Sequence, residues 1–158
     1  MQFSIREATL GDAEGLCRCY DELDTLHCEA MPGLFQAAEG PARSEEFFSR
    51  IFTNENTALF VAESGGQVIG FVIVSVQETP DISILVPRRY ASIVDLAVRC
   101  EFRRRGVGRA LMEQAQAWAR DKGAAQVELN VFEFNQEAIA FYEAMGYGPV
   151  VRRMWRAL

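Results

Sequence analysis

Between Val94 and Ala110 the chain passes from an apolar strand through an arginine-rich turn into the start of a helix. Val94, Leu96 and Val98 alternate with other residues, which is typical of a strand. Apolar residues then recur at helical spacing after the turn; they are Leu111, Ala115, Trp118 and Ala119. A tight connection of this kind, in which a strand leads directly into a helix, is suited to holding phosphate groups.

The turn itself, RRRGVG at residues 103 to 108, has the composition of an anion site. Gly106 and Gly108 have no Cβ, so the backbone there can take a positive φ and approach a ligand closely. Unpaired N–H groups and the helix dipole favour an anion at the helix start. Four arginines add forked, permanently charged donors; they are Arg103, Arg104, Arg105 and Arg109. Taken alone, the pattern also fits a solvated basic turn at a helix boundary.

Two common phosphate-binding motifs are excluded at this turn. A Walker-type loop requires a Gly-Lys-Ser/Thr sequence, and none follows the glycines. A dinucleotide fingerprint requires Gly-x-Gly-x-x-Gly, and the third glycine is missing after Gly108.

A second strand is predicted after this helix. The helix is expected to end near Lys122 and Gly123, because a basic last turn followed by glycine is a common terminus. The segment QVELNV at residues 126 to 131 alternates apolar and polar residues and predicts a strand parallel to the first. Strand, helix and strand then form one crossover unit, which is almost always right-handed.

Another helix is predicted after Asn135, and several of its residues have two interpretations. Ala138, Phe141, Tyr142 and Met145 lie on one side of it. Asn135 can be a simple helix cap. Phe141 and Met145 can be core residues, and Tyr142 can be a buried aromatic whose hydroxyl bonds a backbone carbonyl.

The two segments resemble the cofactor-binding motifs of the GNAT superfamily of N-acetyltransferases. Arg103-x-x-Gly106-x-Gly108 after the strand IVDLAV is similar to the acetyl-CoA signature, and Asn135-x-x-Ala138-x-x-Phe141-Tyr142, ending in Gly146-Tyr147, is similar to the second motif. The resemblance covers residues 94 to 158 closely and the remainder in outline. It implies an α+β, three-layer fold with a mixed, mostly antiparallel sheet whose fourth and fifth strands form a parallel, splayed pair.

The order of the remaining predicted elements agrees with that fold. FSIREA predicts a first strand, Thr9 with Asp12 resembles a helix start, and a second short helix is plausible after Ser44. Two further strands meet at Gly65-Gly66, which is a strong hairpin signal. Residues 81 to 90 are ambiguous, and PVVRRMWRAL predicts a closing strand. We expect residues 1 to 158 to form a single GNAT domain.

The resemblance implies acetyl-CoA as the acetyl donor. Its pantetheine would lie in the splay between the strands at residues 92 to 98 and 126 to 131, and residues 103 to 109 would hold the pyrophosphate. The implied cofactor-binding residues are Leu96, Ala97, Val98, Arg103, Arg104, Arg105, Gly106, Val107, Gly108, Arg109, Asn135, Ala138, Phe141 and Tyr142.

Acetyl transfer to an amine needs a base, a donor to the developing oxyanion and an acid. An alkyl amine with a pKa of ~10.4 is mostly an ammonium at neutral pH, so a proton must be removed before attack. The resemblance implies that the backbone N–H of Val98 stabilises charge on the thioester oxygen. It also implies that the phenol of Tyr142 supplies a proton to the departing thiolate.

The base is where this chain departs from a common family pattern. Many relatives carry a glutamate four positions before the residue equivalent to Val98, and here that position is Val94. Asp95 is adjacent but is expected, by strand alternation, to face the other way. The remaining candidates are Glu29, Glu78, Glu128 and a water held by Asn130 or Ser92.

The acceptor is expected to enter from the side opposite to acetyl-CoA. The candidate substrate-binding residues are His27, Glu29, Phe35, Glu78 and Asn130, although His27 also fits packing or a cap at a helix end. We expect acetyl transfer to a primary amine of a small molecule by direct attack in a ternary complex. The alternatives are a protein or peptide N-terminal acetyltransferase and a non-catalytic acyl-CoA-binding regulatory module.

Composition and charge restrict the partners of the chain. The net charge of −6 argues against nucleic-acid binding, which depends on a basic surface. Neither a membrane-spanning apolar run nor a signal-like start is found, so we expect no membrane partner and a cytoplasmic location. Cys17 and Cys19 face different ways on a probable helix, so no metal is expected. A homodimer is compatible with the apolar Met154 and Trp155, although core packing explains them equally well.

Overall fold

The computed structural model describes residues 1 to 158, which form five strands and four α-helices. The strands are β1 (Ser4–Glu7), β2 (Thr57–Ser64), β3 (Gln67–Glu78), β4 (Arg89–Val98) and β5 (Gln126–Leu129). The helices are α1 (Ala13–Ala30), α2 (Glu45–Phe52), α3 (Val107–Asp121) and α4 (Gln136–Ala144). The strands form one sheet in the order β1-β2-β3-β4-β5, in which only β4 and β5 are parallel. This arrangement confirms the predicted α+β fold.

The sheet has an apolar core on each face, because the central strands alternate their side chains between two helical layers. On one face α1 and α2 pack through residues such as Tyr20 and Phe48 against Phe71. On the other face α3 packs through residues such as Leu111 against Val72. None of the four helices has both the length and the apolar character needed to cross a bilayer.

The predicted hairpin between β2 and β3 is present. Gly65 and Gly66 connect the strands with φ values of +57° and +77°. Two successive positive φ values match the twist of the flanking strands, and glycine adopts them without steric cost. β3 then runs through the centre of the sheet and pairs with β2 on one side and β4 on the other.

A bulge in β4 changes which of its residues face α1. Ile73 lies opposite Asp95, whereas the next residue of β3, Val74, lies opposite Ile93. Val94 is therefore left without a partner and is 54% exposed. A bulge places two residues against one and so reverses the alternation beyond it. Asp95 consequently faces Tyr20 on α1, whereas the regular alternation assumed from the sequence would have turned it toward the opposite face of the sheet.

The parallel pairing of β4 and β5 ends at Ile93 and Leu129, although β4 continues to Val98. The predicted strand at 126 to 131 is thus two residues shorter, because Asn130 and Val131 leave the sheet. This divergence leaves one edge of β4 without a strand partner beside its last residues. The splay predicted between the two strands is present at this place.

The closing strand predicted from PVVRRMWRAL is absent. Residues 148 to 158 have no regular secondary structure and every one of them is exposed. A strand is stabilised by its partner, and the β-branched and aromatic residues of this segment favour a pairing without supplying one. The segment therefore has strand propensity but no strand partner within the chain.

Candidate active site

A cavity of about 610 Å³ opens where β4 and β5 diverge. Its walls are formed by the last residues of β4, the turn and first residues of α3, the start of α4 and one side of α1. Every residue that the sequence assigned to acetyl-CoA lines this cavity except Arg105. The guanidinium of Arg105 instead lies 3.7 Å from the sulfur of Met1. The volume falls in the range typical of sites for small ligands and cofactors.

The end of β4 offers unpaired backbone groups to this cavity. The N–H of Arg99 donates to the carbonyl of Ile69 on β3 at 3.0 Å. Because successive residues of a strand direct their backbone groups to opposite edges, the N–H groups of Val98 and Leu96 point away from β3 and into the splay. The carbonyl of Val98, on that same edge, accepts from Nε of Arg103 at 2.9 Å. Arg103 thus fixes the turn to the strand.

The start of α3 is shaped to expose its N–H groups. Gly106 is the residue before the helix and has a φ of +82°, and no side chain caps the helix start. The first N–H groups of an uncapped helix have no partner within it and attract an anion. A Cβ on Gly108 would lie 3.4 Å from the ring of Phe141, which is van der Waals contact, so α4 packs directly against the start of α3 here.

Two arginines at the mouth of the cavity have only loose partners. Arg104 lies 3.9 Å from Glu137 and Arg109 lies 4.0 Å from Glu113. Both arginine side chains are more than half exposed, at 82% and 53%. Exposed pairs at such distances contribute little to stability. Both guanidinium groups are therefore free to turn toward a phosphate.

Helix α4 brings Tyr142 to the cavity. Asn135 acts as its cap, since Oδ1 accepts from the N–H of Ala138 at 3.1 Å. The ring of Tyr142 contacts Phe141 and Tyr147, at centroid distances of 5.2 and 6.0 Å. Burial, with smaller contributions from the charges of Tyr147 and Asp95, raises the pKa of Tyr142 to about 12. The phenol is consequently protonated at neutral pH and can donate.

Asp95 forms the centre of a polar cluster that the sequence analysis missed. The hydroxyl of Tyr20 donates to Oδ2 of Asp95 at 2.7 Å, and the guanidinium of Arg43 lies 4.0 Å above the Tyr20 ring. Arg43 in turn donates to Asp24 at 2.8 Å. Burial raises the pKa of Asp95, while the Tyr20 hydrogen bond and the charge of Arg43 oppose that rise. The positive charge that His27 can carry also lowers the pKa of Asp95.

His27 and Phe35 meet in an aromatic cluster beside Asp95. The imidazole of His27 lies 5.1 Å from Phe35, 5.4 Å from Phe132 and 5.6 Å from Phe134. Its Nδ1 lies 2.8 Å from the carbonyl of Leu23, so Nδ1 carries the proton and Nε2 is the available nitrogen. The cluster joins α1 and the loop after it to the segment that follows β5.

None of the predicted acceptor-side residues, His27 and Phe35 included, belongs to the lining of the cavity. Glu78 pairs with Arg89 at 3.0 Å. Arg89 precedes Val98 by nine residues on β4, so this pair lies roughly 30 Å from Val98 along the strand. Glu128 pairs with Arg88 at 2.5 Å. Glu29 and Asn130 are exposed, at the end of α1 and after β5.

One sequence signal could have identified Asp95. It is the only charged residue in the otherwise uncharged stretch from Ala91 to Val98. A carboxylate in a buried strand is costly unless it is paired, so its presence there indicates a specific partner. That partner, Tyr20, lies 75 positions earlier and has no local sequence signature.

Comparison with known proteins gives a consistent result. Residues 20–147 match the Acetyltransferase (GNAT) family. An uncharacterized N-acetyltransferase from Archaeoglobus fulgidus is 30% identical over 139 residues, which are 87% of this chain and 88% of that protein. A probable N-acetyltransferase family 8 member of Mus musculus is 33% identical over 99 residues, which are 63% of this chain. The matched region spans only 42% of the length of that relative.

Solved structures share the fold over nearly the full chain. A mutant of the BH1408 protein from Bacillus halodurans has a TM-score of 0.93 at 24% identity, covering 98% of this chain and 99% of that one. AAC(6')-Iy, solved with the bisubstrate analog CoA-S-monomethyl-acetylneamine, has a TM-score of 0.77 at 18% identity, covering 100% and 99%. With its sheet, its splayed strands and its family match taken together, the chain belongs to the acetyltransferase (GNAT) family.

Proposed function

We propose that the protein transfers an acetyl group from acetyl-CoA to a primary amine of a small molecule, with both substrates bound together. One observation carries the proposal: a single cavity joins the unpaired edge of β4, the uncapped start of α3 and the phenol of Tyr142. These are the groups that thioester binding, phosphate binding and thiolate protonation require.

The residues at the cavity fit acetyl-CoA. Leu96 and Val98 would pair with the amide groups of pantetheine through their free backbone edge. The N–H groups at the start of α3, with Arg104 and Arg109, would hold the pyrophosphate. Acetyl-CoA would supply the acetyl group as an activated thioester. The solved complex of AAC(6')-Iy with an analog that contains CoA supports this use of the fold.

In the transfer, Val98 would act on the thioester oxygen and Tyr142 on the departing sulfur. The N–H of Val98 would donate to the thioester oxygen as negative charge develops there. Tyr142 would supply a proton to the thiolate as it leaves, and its raised pKa keeps that proton in place until it is needed.

Asp95 is the base in this proposal. Tyr20 holds its carboxylate in a fixed orientation, and its charge acts on the pKa of Tyr142, which puts it within electrostatic reach of the proposed acid. Burial raises its pKa and so makes it a stronger proton acceptor than an exposed aspartate. It would bind the ammonium group of the acceptor and take the proton that blocks attack.

The aromatic cluster favours a small acceptor over an extended peptide. Phe35, on the loop after α1, contacts Phe132, on the segment after β5, at a centroid distance of 5.4 Å. Contact between these two segments would close the proposed acceptor side across His27. A groove for a protein N-terminus would need the same two segments to stand apart.

Thiol release from acetyl-CoA across a panel of amines tests the proposal. We expect release that depends on the presence of one class of small primary amine. Release with peptides alone would instead identify an N-terminal acetyltransferase. Affinity for coenzyme A by calorimetry without thiol release from any acceptor would identify a binding module, and absence of affinity would overturn the use of acetyl-CoA.

A further inference from the structure

Glu22, on α1, lines the cavity and contacts the chain just after β4. Oε2 of its carboxylate accepts from the backbone N–H of Cys100 at 2.7 Å. The same oxygen lies 4.0 Å from the guanidinium of Arg103, and Oε1 lies 3.6 Å from Nε of Arg99. A hydrogen bond to an ionised acceptor is stronger than one between neutral groups. Glu22 therefore ties α1 to the turn that follows β4.

The contact with Cys100 lies on the open edge of β4. β5 pairs with β4 only as far as Ile93, so no strand holds the last residues of this edge. Cys100 follows Val98 by two positions, so their N–H groups leave the chain on the same side. The N–H of Val98 faces the cavity, whereas the next N–H on that side is bound by Glu22. The carboxylate thus replaces a strand partner at the end of β4.

Arg103 makes a second attachment on the same edge. Its Nε donates to the carbonyl of Val98, the residue that precedes Arg99. The side chain of Arg103 is 39% exposed, compared with 82% for Arg104 in the same turn. Arg103 is thus held between the strand and the carboxylate of Glu22, and both of its contacts restrict the backbone around Val98.

The direction of these contacts separates two roles for Glu22. A carboxylate in this lining could bind the ammonium group of an acceptor, and it would repel the phosphates of a donor. Its contacts, however, are with the N–H of Cys100 and with Arg99 and Arg103, which are all part of the strand end and the turn. The two guanidinium groups also offset its charge. The arrangement is that of a group that holds backbone.

We infer that Glu22 is a positioning residue, whose carboxylate holds the end of β4 and thereby sets the direction of the N–H of Val98. The importance of that direction rests on the proposed function, in which this N–H donates to the thioester oxygen. Such a donor stabilises the transition state only where it points at the developing charge, and a displacement of about 1 Å can cost about 10²-fold in rate. Glu22 would act on the reaction only through this backbone.

Turnover and affinity, measured on the same variants, test this role. Glu22→Ala removes the acceptor for Cys100 and is expected to lower kcat by about 10- to 10²-fold. The Kd for coenzyme A should change less than about threefold, because the start of α3 is intact. Glu22→Gln keeps a carbonyl oxygen in place of Oε2 and should recover most of the lost kcat.

Asp21 provides the matched control. It is the neighbouring residue on α1, it has the same charge, and it is exposed. Asp21→Ala and Asp21→Asn should leave both kcat and the Kd for coenzyme A unchanged. The inference is overturned by an equal loss of kcat in Asp21→Ala and Glu22→Ala, by a Glu22→Gln variant as slow as Glu22→Ala, or by a loss of affinity as large as the loss of kcat.

Amide hydrogen exchange followed by NMR tests the contact without any turnover. In the free protein, the N–H of Cys100 should exchange at least about 10-fold faster in Glu22→Ala than in wild type or Glu22→Gln, because its charged acceptor is gone. The amide signal of Val98 should shift in Glu22→Ala alone. Unchanged exchange at Cys100, or an unchanged Val98 signal, would overturn the inference. A protein that shows both amide effects but releases no thiol with any amine would support the inference and overturn the proposed function.

Discussion

The proposed donor side, which is the cavity wall formed by β4 and α3, and the proposed acceptor side, which is the Tyr20–Asp95 cluster, are built in different ways. The donor side uses backbone groups and glycines that lie close together in the sequence, at Leu96, Val98 and Gly106. The acceptor side uses side chains that are far apart in the sequence, such as Tyr20 and Asp95. Backbone geometry is fixed by local residues, whereas side-chain clusters depend on how distant elements pack. The backbone geometry can therefore vary little, while a side-chain cluster can change with a single substitution.

Removing the phenol of Tyr142 should have the largest effect and tests where the two sides meet. Tyr142→Phe is expected to lower kcat by about 10²- to 10⁴-fold, the usual contribution of a positioned acid. The ring and its contacts with Phe141 and Tyr147 remain, so affinity for coenzyme A should change little. Steady-state kinetics and calorimetry measure the two quantities. Unchanged turnover would remove Tyr142 from the mechanism.

Replacing the carboxylate of Asp95 tests the acceptor side. Asp95→Asn is expected to lower kcat/KM by about 10²-fold. The ionised form is the base, so wild-type activity should be lost as pH falls through the raised pKa of Asp95, and the variant should lack this acidic limb. An acceptor amine of lower pKa needs less assistance, so the difference between the two proteins should shrink with such a substrate.

Stability distinguishes a catalytic from a structural role for Asp95. A carboxyl group whose pKa is raised on folding favours the folded state fully only below its unfolded pKa, and this contribution is lost as pH rises through the folded value. Above the folded pKa the ionised Asp95 is therefore costly to bury, and at such a pH the asparagine variant should melt no earlier than wild type. A large drop in melting temperature would assign Asp95 to packing alone.

The turn before α3 tests the donor side with an internal control. Gly106 and Gly123 flank opposite ends of α3 and both have a φ of +82°. Alanine at either position should cost about 1 kcal/mol of stability, because a side chain disfavours this conformation. Only Gly106→Ala should also weaken coenzyme A binding, by about 10-fold, since the proposal places the phosphates at that end of α3 alone. Equal affinity in both variants would separate the turn from the ligand.

The smallest effects are expected among the arginines. Arg104→Ala should weaken coenzyme A binding by about threefold at low salt, and less at high salt because exposed charges are screened. Arg105→Ala should leave the affinity unchanged, since this side chain is directed to Met1 and lies outside the cavity. Calorimetry at two salt concentrations measures both. A loss of coenzyme A affinity in Arg105→Ala larger than in Arg104→Ala would favour the sequence-based prediction that Arg105 binds the cofactor over its position outside the cavity.

Local patterns explain why much of the donor side was predictable. Gly106, Gly108 and the arginines around them specify a turn and a helix start within six residues, and Asn135 specifies the next helix start. The hairpin between β2 and β3 followed from an equally local signal at Gly65 and Gly66, whereas the arrangement of the sheet was implied by the family resemblance.

The other features of the fold and the site could not be predicted from the sequence, because they depend on pairing between distant segments. Alternation assigned Asp95 to the wrong face, since no local residue announces the bulge at Val94. The apolar residues after Gly148 predicted a strand, but no pattern within them says which edge would receive it. Glu78 was grouped with the acceptor residues although it ends β3, opposite Arg89 at the start of β4 and far from Val98.

The irregularity at Val94 gives one strand two independent halves. Before it, β4 is fastened on both sides and takes part in the rigid interior of the sheet. After it, the same strand turns Asp95 toward Tyr20 on α1 and leaves its other edge open to the cavity. Under the proposed function, substitutions among the residues that face α1 would change which amine is accepted and would leave the backbone edge proposed for the nucleotide unaltered.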